Sequence, residues 1–375
     1  MYIINKNYQN KINKYVIITK NLILFTTIIL LSLCMIFASK ISSSGVIRGL
    51  KFCSEILIPN LFPFMALSSF IIYSGIIFKL TNFFSKITNF LFNMPEIASS
   101  AIILGQLGGY PVGAKVTRDL LDENLITPSQ ARRLILFCVG AGPAFVINIV
   151  GSLLFKNQKI GILMLISQIF SSFLIGIFLG IQSRFLNKEN FEIKNKKTTK
   201  IYDPNLSNSL VRACESTSIV TINMCALVII FSVLISFLDY FHISQNYLIS
   251  TGITALLEIT QGIHSLITVG ASPCVLSFAL SWGGICVHMQ VKSILGDLKF
   301  SYFKFVIFRV IHAILSFMLT YIVLNCFKIS IPASNFFSII PSQVPAEIQF
   351  SSNNIIGSTA LIFTCIYFLI SLIQI

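Results

Sequence analysis

Glu258 is the only Asp, Glu, Lys or Arg residue in the apolar stretch 248–269. A carboxylate in such surroundings is costly and must be neutralised by a proton, a cation or a basic partner. Thr260 and Gln261 place a hydroxyl and an amide beside it, and Gly262 follows. Two chemistries fit: coupling to a proton or sodium ion, or a buried structural salt bridge. A second polar cluster interrupts the apolar run that begins at residue 97. It holds Gln106, Gly108, Gly109, Tyr110, Gly113 and Lys115. Glycine permits a tight turn there, and Pro111 suits the first turn of a helix. The N-terminus of that helix would offer N–H groups and partial positive charge to an anion, with Lys115 and Arg118 adding attraction. A turn whose basic residues touch phosphate headgroups is the plainer alternative.

Each stretch precedes a longer apolar segment with a break of its own. In the first half the break is Gly140-Ala141-Gly142-Pro143, and in the second it is Gly283-Gly284. Pro143 lacks the N–H that a continuous helix needs. Asn148 lies one turn past the first break, and His288 and Gln290 lie past the second, so all three are candidates to reach one cavity. Hydrogen bonding between helices is the alternative for each. A bilayer tolerates non-helical backbone only against protein or a water-filled cavity, and paired interruptions in two halves point to a transporter's substrate site. Gly→Ala at Gly109, Gly142, Gly262 or Gly283 is therefore expected to impair transport more than Gly→Ala at Gly161 or Gly176, which sit in an uninterrupted span.

Enzymatic chemistry has no comparable foundation. The four histidines show no HExxH spacing, the nine cysteines form no CxxC pair, and no nucleophile or acid–base constellation recurs. The expectation is therefore no enzyme, no metal and no cofactor. The net charge of +14 resides in loops between apolar runs, with no basic helix or stacking platform for nucleic acid.

The elements that must position these residues are membrane helices. The chain is 55% hydrophobic and 11% charged, against roughly 25% charged in soluble domains. The apolar runs predict spans over 22–38, 61–78, 131–155, 160–183, 217–238, 273–291, 305–326 and 354–373. The two short interrupted stretches, about 97–113 and 248–269, are read as re-entrant hairpins. The apolar run after Lys6, Lys11, Lys14 and Lys20 is too long for a signal core and lacks a small residue three before a cut, so it reads as a retained helix.

With a cytoplasmic N-terminus, all but six of the 27 Lys and Arg fall inside; Lys40, Arg48, Lys51, Lys156, Lys159 and Lys328 remain outside. This count puts Arg132, Arg133 and Arg309 at cytoplasmic helix ends. The fold class is an all-α polytopic membrane protein with an inverted-topology repeat, re-entrant hairpins and broken transmembrane helices. Its expected units are a first helix and connection (1–60), one repeat (61–183), a basic cytoplasmic linker (184–216), an inverted repeat (217–326), and an outer loop with a last helix (327–375). Opposed repeats can each gate one face.

The runs GYPVGAK (109–115), Arg132-Arg133, GPAF (142–145), EITQG (258–262) and GGICVHMQ (283–290) are similar, in order and spacing, to the sporulation integral membrane protein YlbJ family. The resemblance covers about 46–327. Where that family often has polar, asparagine-like residues before its GP break, this chain has Val139, Gly140 and Ala141, leaving backbone groups for substrate contacts. The family resembles nucleoside-recognition, or gate-domain, carriers built from inverted hairpin repeats. The resemblance implies transport of dipicolinate from mother cell toward forespore across the outer forespore membrane. A small anionic substrate and membrane lipid are the expected partners, with proton or sodium coupling. A nucleoside or other small-solute carrier and a non-transporting scaffold for spore-envelope assembly are the alternatives.

Overall fold

The computed structural model describes residues 35–185, 206–241 and 246–326, with part of the helical stretch 22–34. Most of the expected linker, the outer loop at 328–353 and the last span at 354–373 lie outside the described residues, and span 22–38 is described only in part. The helices that frame the molecule are α1 (Ser39–Tyr73), α2 (Ser85–Phe92), α3 (Ser99–Gly108), α4 (Tyr110–Asp122), α5 (Pro128–Leu134), α6 (Gln158–Phe185), α7 (Leu206–Tyr240), α8 (Tyr247–Leu257), α9 (Ile259–Thr268), α10 (Pro273–Trp282), α11 (Gly284–Leu295) and α12 (Tyr302–Cys326). A π-helical segment, Ala144–Leu154, comes after α5. No strand occurs among the described residues. Among the described residues five stretches are long and apolar enough to cross a membrane: α1, α6, α7, the joined α10 and α11, and α12. The pair Lys86–Phe92 and Glu96–Gly108, bent by 86°, would make a sixth if it counts as one span.

The largest departure from the sequence reading is α1. The expectation for residues 39–60 is a connection outside the membrane, yet from Ser39 onward they are continuous with the helix that ends at Tyr73, 35 residues in all. Serines and three basic residues dilute the hydropathy of its first turns, whereas the helix needs only one face for packing. Gly45 and Gly49 supply that face in a GxxxG pattern. A methyl group added at either would lie 2.7 Å from Val233 Cα or 2.8 Å from Ile229 Cα of α7. Arg48 approaches Asp239, Cys53 approaches the Cys225 carbonyl, and Tyr73 bonds Ser216. Rising numbers on α1 meet falling numbers on α7, so these two 35-residue helices run antiparallel. A π-turn at Cys53–Leu57 interrupts α1 near its middle. The helix α7 likewise begins before the expected boundary at 217.

Both interrupted stretches are helical hairpins. The chain reverses at Gly109, where φ is +97°, a conformation that favours glycine. Gly105 and Gly113, equally far from that turn in sequence, face each other so closely that a Cβ on Gly105 would lie 2.9 Å from Gly113 Cα. The second hairpin reverses at Glu258, whose backbone is extended, and brings Gly262 against Ala255. The α3–α4 pair is hairpin A and the α8–α9 pair hairpin B.

The expected span 131–155 is not one helix. After α5, capped by a Thr127–Gln130 capping box, the chain unwinds over 135–142 and resumes as the π-helical segment. Gly140, Gly142 and Pro143 make this cheap, because glycine resists helix and proline cannot complete its hydrogen-bond ladder. The second broken segment is tidier, with left-handed Gly283 separating α10 from α11.

One end of the molecule gathers the segments expected to be cytoplasmic. Arg212 pairs with Glu123 at 2.6 Å, Arg118 Nη1 donates to Leu295 O, Arg132 to Lys299 O, and Arg133 to Phe92 O. The chain around Phe92, Arg118–Arg133, Arg212 and Leu295–Lys299 therefore lies at one end, whereas the first part of the expected cytoplasmic segment 114–130 belongs to the largely buried helix α4.

Candidate functional site

The two hairpin tips meet in one pocket. Gly108, Gly109, Tyr110 and Pro111 reach it from hairpin A, and Glu258, Ile259 and Thr260 from hairpin B. Gly142, Ala144, Phe145 and Ile149 of the first broken segment and Val287 and Gln290 of the second close two sides. The last wall is α1, through Phe52, Ile56, Leu57, Asn60, Leu61 and Phe64. These share one helical face across the π-turn, where Asn60 Nδ2 donates to Ile56 O at 2.6 Å. The sequence reading places Phe52–Asn60 in an outside connection and so misses this wall.

Each tip is seated on the break of its own half. A Cβ on Gly142 would come within 3.0 Å of Gly109 N, and one on Gly284 within 3.0 Å of Leu257 O. Hairpin A also crosses to the other half: the Tyr110 hydroxyl donates to Leu280 O, and its ring stands against Gly283. Gly109, Gly142 and Gly284 thus serve close backbone approach between elements and Gly283 makes room for the Tyr110 ring, but only Gly109 and Gly142 line the pocket.

Glu258 is 2% exposed and caps its own hairpin. Its carboxylate accepts Thr260 N at 3.1 Å, Gln261 N at 2.9 Å and Thr260 Oγ1 at 2.5 Å. No Lys, Arg or His pairs with it among the described residues, so the salt-bridge alternative does not describe this structure. The helix terminus supplies the stabilisation instead. Consequently the N-terminus of α9 is already capped by a carboxyl group, and of the two tips only α4 begins without a side-chain cap. Glu258→Gln, whose amide nitrogen cannot accept, is expected to cost about 1 kcal/mol, the usual worth of an N-cap. A thermal melt of purified protein should register a lower Tm, and an unchanged Tm would remove the capping role.

Other expected site residues fall elsewhere. Lys115 is buried and held 2.5 Å from Asp119, which also accepts Ser69 Oγ and Tyr73 OH. Arg118 is spent on Asp122 and Leu295 O. An acid at i+4 claims each cation, so neither forms a funnel to the pocket. Asn148 is exposed. The segment winds as a π-helix, whose wider turn places Ile149 rather than Asn148 on the pocket side with Ala144. Gln106 donates to Ser172 Oγ and Phe137 O behind the tip, and Gly113 packs on the Cys138 carbonyl. Pro143 sits between two lining residues without lining the pocket itself. Gln261 bonds Ser232 and accepts from Arg48, while Gly262 packs on Ala255. His288 stands 3.1 Å from Trp282 O and against the Trp282 and Phe305 rings.

One residue at the heart of the structure is Arg309, which the charge count alone puts at a helix end. It is fully buried. It donates to Val139 O in the first break through Nη1 and to Ser281 O at the second through Nη2. No carboxylate pairs with it among the described residues. With it, the four carbonyls closing α10 are all engaged: Ala279 by Gly283 N, Leu280 by Tyr110, Ser281 by Arg309 and Trp282 by His288. A helix end buried away from water requires such partners.

The chain is similar to the sporulation integral membrane protein YlbJ of Bacillus subtilis (strain 168), with 25% identity over 343 aligned residues covering 81% of each chain. This similarity supports the family assignment drawn from the motifs. No family model matches the chain, and no solved structure matches it.

Proposed function

We propose that the protein is a membrane carrier of a small solute in sporulation, working by alternating access around the pocket between the hairpin tips. The observation that carries this is the convergence of both tips, Gly109 and Glu258, on one pocket beside the first break. Its height supports a site near the bilayer midplane: Phe52–Phe64 and Val228 lie near the middles of α1 and α7. Antiparallel α1 and α7 are what two inverted repeats require of their leading spans. In this reading both hairpins are re-entrant, the N-terminus is cytoplasmic, and the protein moves its substrate without covalent chemistry.

The lining favours a flat ring. Phe52, Phe64, Tyr110 and Phe145 offer aromatic surface, and Asn60, Gln290 and the uncapped start of α4 offer polar contacts. Dipicolinate, which the family resemblance implies, has that shape. As a dianion it would share the pocket with Glu258 and with no basic lining residue, so a proton or cation must enter with it. The membrane is then the cell membrane, with the outer forespore membrane as the site of action.

Proteoliposomes supplied with labelled dipicolinate or nucleosides test the reading. Dipicolinate uptake is expected, lowered about fivefold by Asn60→Ala or Gln290→Ala, the worth of one lost hydrogen bond, and unchanged by Asn148→Ala. Nucleoside uptake alone would keep the carrier and replace the substrate. Folded protein that moves neither would favour the scaffold.

A further inference from the structure

A second pocket opens at the end of the molecule where α5, α6 and α12 meet. Arg132, Arg133 and Lys304 line it, and no carboxylate does. Arg133 is fixed at the wall, Nη1 donating to Ser183 Oγ at 2.9 Å and Nη2 to Phe92 O at 2.7 Å. Arg132 and Lys304 are exposed, one from α5 and one from α12, so their charges can close on a ligand from different elements. Ser301, also in the lining, precedes α12 and caps it by accepting Lys304 N at 3.2 Å. The partial positive charge of a 25-residue helix therefore adds to the three cations.

The remaining lining is of the opposite character. Leu136, Leu179 and Phe300 give the pocket an apolar part. Along the same two spans Phe178, Phe185 and Phe303 are exposed, at 59%, 84% and 56%. A cationic mouth over apolar surface, at the ends of two membrane-length helices, matches the two parts of a phospholipid. A free phosphate would use the cations but has no use for the apolar part.

We infer that this pocket binds the phosphate of an anionic phospholipid, its acyl chains lying along α6 and α12. The site is separate from the pocket between the hairpin tips and does not depend on what that pocket transports.

The test uses full-length protein in neutral detergent, titrated with phosphatidylglycerol, phosphatidylcholine or inorganic phosphate. Phosphatidylglycerol is expected to bind saturably and about thirtyfold more tightly than phosphatidylcholine, in keeping with about 1 kcal/mol for each of the exposed Arg132 and Lys304. The double variant Arg132→Gln, Lys304→Gln should lose about that thirtyfold. Arg132→Lys with Lys304→Arg should keep it, as should Lys156→Gln with Lys159→Gln at the start of α6. A thermal melt of each variant separates lost binding from lost fold. Equal affinity for the two lipids, or a double variant that binds like the parent while folded, overturns the inference. So does displacement of phosphatidylglycerol by an equal concentration of inorganic phosphate, which would assign the pocket to a free anion.

Discussion

Arg309→Ala is expected to cost more stability than any other single side-chain truncation in the molecule. It strips the buried carbonyls of Val139 and Ser281 of their donor at one stroke. Hydrogen bonds to a charged group are worth about 1.5–3 kcal/mol each, so the two together amount to about 3–6 kcal/mol before counting the cavity left behind. Folded proteins have only about 5–15 kcal/mol in hand. Little folded Arg309→Ala should therefore accumulate. Arg309→Lys keeps the charge but brings one compact ammonium where a two-armed fork is needed, and should fall between. Trp282, the single tryptophan, comes directly after Ser281, so its fluorescence reports on this break. A melt monitored at Trp282 with parental midpoint in Arg309→Ala would show that the guanidinium holds nothing together.

The second large effect concerns two glycines of hairpin B. A methyl group at Gly262 would overlap Ala255 Cα and lie 2.8 Å from Ala255 Cβ. Neither helix has a flexible side chain at that contact to move aside, so the arms must separate. Overpacking costs about 1–3 kcal/mol and more where backbone meets backbone, and Gly262→Ala belongs at the upper end. Gly252, one arm away, has nothing within 4 Å of its added methyl. Gly252→Ala should be neutral or stabilising by up to about 1 kcal/mol, the helix preference of alanine over glycine. The Trp282 indole donates to Leu256 O on the same hairpin, so one fluorescence melt compares both. Equal midpoints would mean that the arms are not held by this contact. Gly161 and Gly176 do not serve as tolerant controls. Added methyls there would come within 2.8 Å of Val146 O and of the Phe92 ring, respectively, so alanine at either carries a folding cost of its own.

Both hairpins are legible in the sequence because glycine, proline and an isolated carboxylate interrupt apolar runs, and a bilayer-facing chain has few other reasons to carry them. The breaks at Gly142 and Gly283 are legible on the same ground. What the chain does not announce is which side chains converge. Lys40, Arg48 and Lys51 make the start of α1 resemble a loop, although an amphipathic helix end carries such residues readily. Asn148 is misplaced because π winding leaves no mark in a short apolar sequence. Arg309 stands among the early turns of an apolar helix, where basic residues commonly face headgroups. Only the packing of α12 against α6 and α10, beside the two breaks, turns it inward.

The bond from the Tyr110 hydroxyl to the Leu280 carbonyl ties a hairpin tip to a helix of the opposite half, and it has a thermodynamic consequence for any cycle that lifts that tip. Once the tyrosine leaves, the carbonyl must find a new donor or bear a desolvation penalty of about 1–3 kcal/mol. In an apolar interior the available donor is water. Wetting of the cavity and displacement of the tip would thereby be one event.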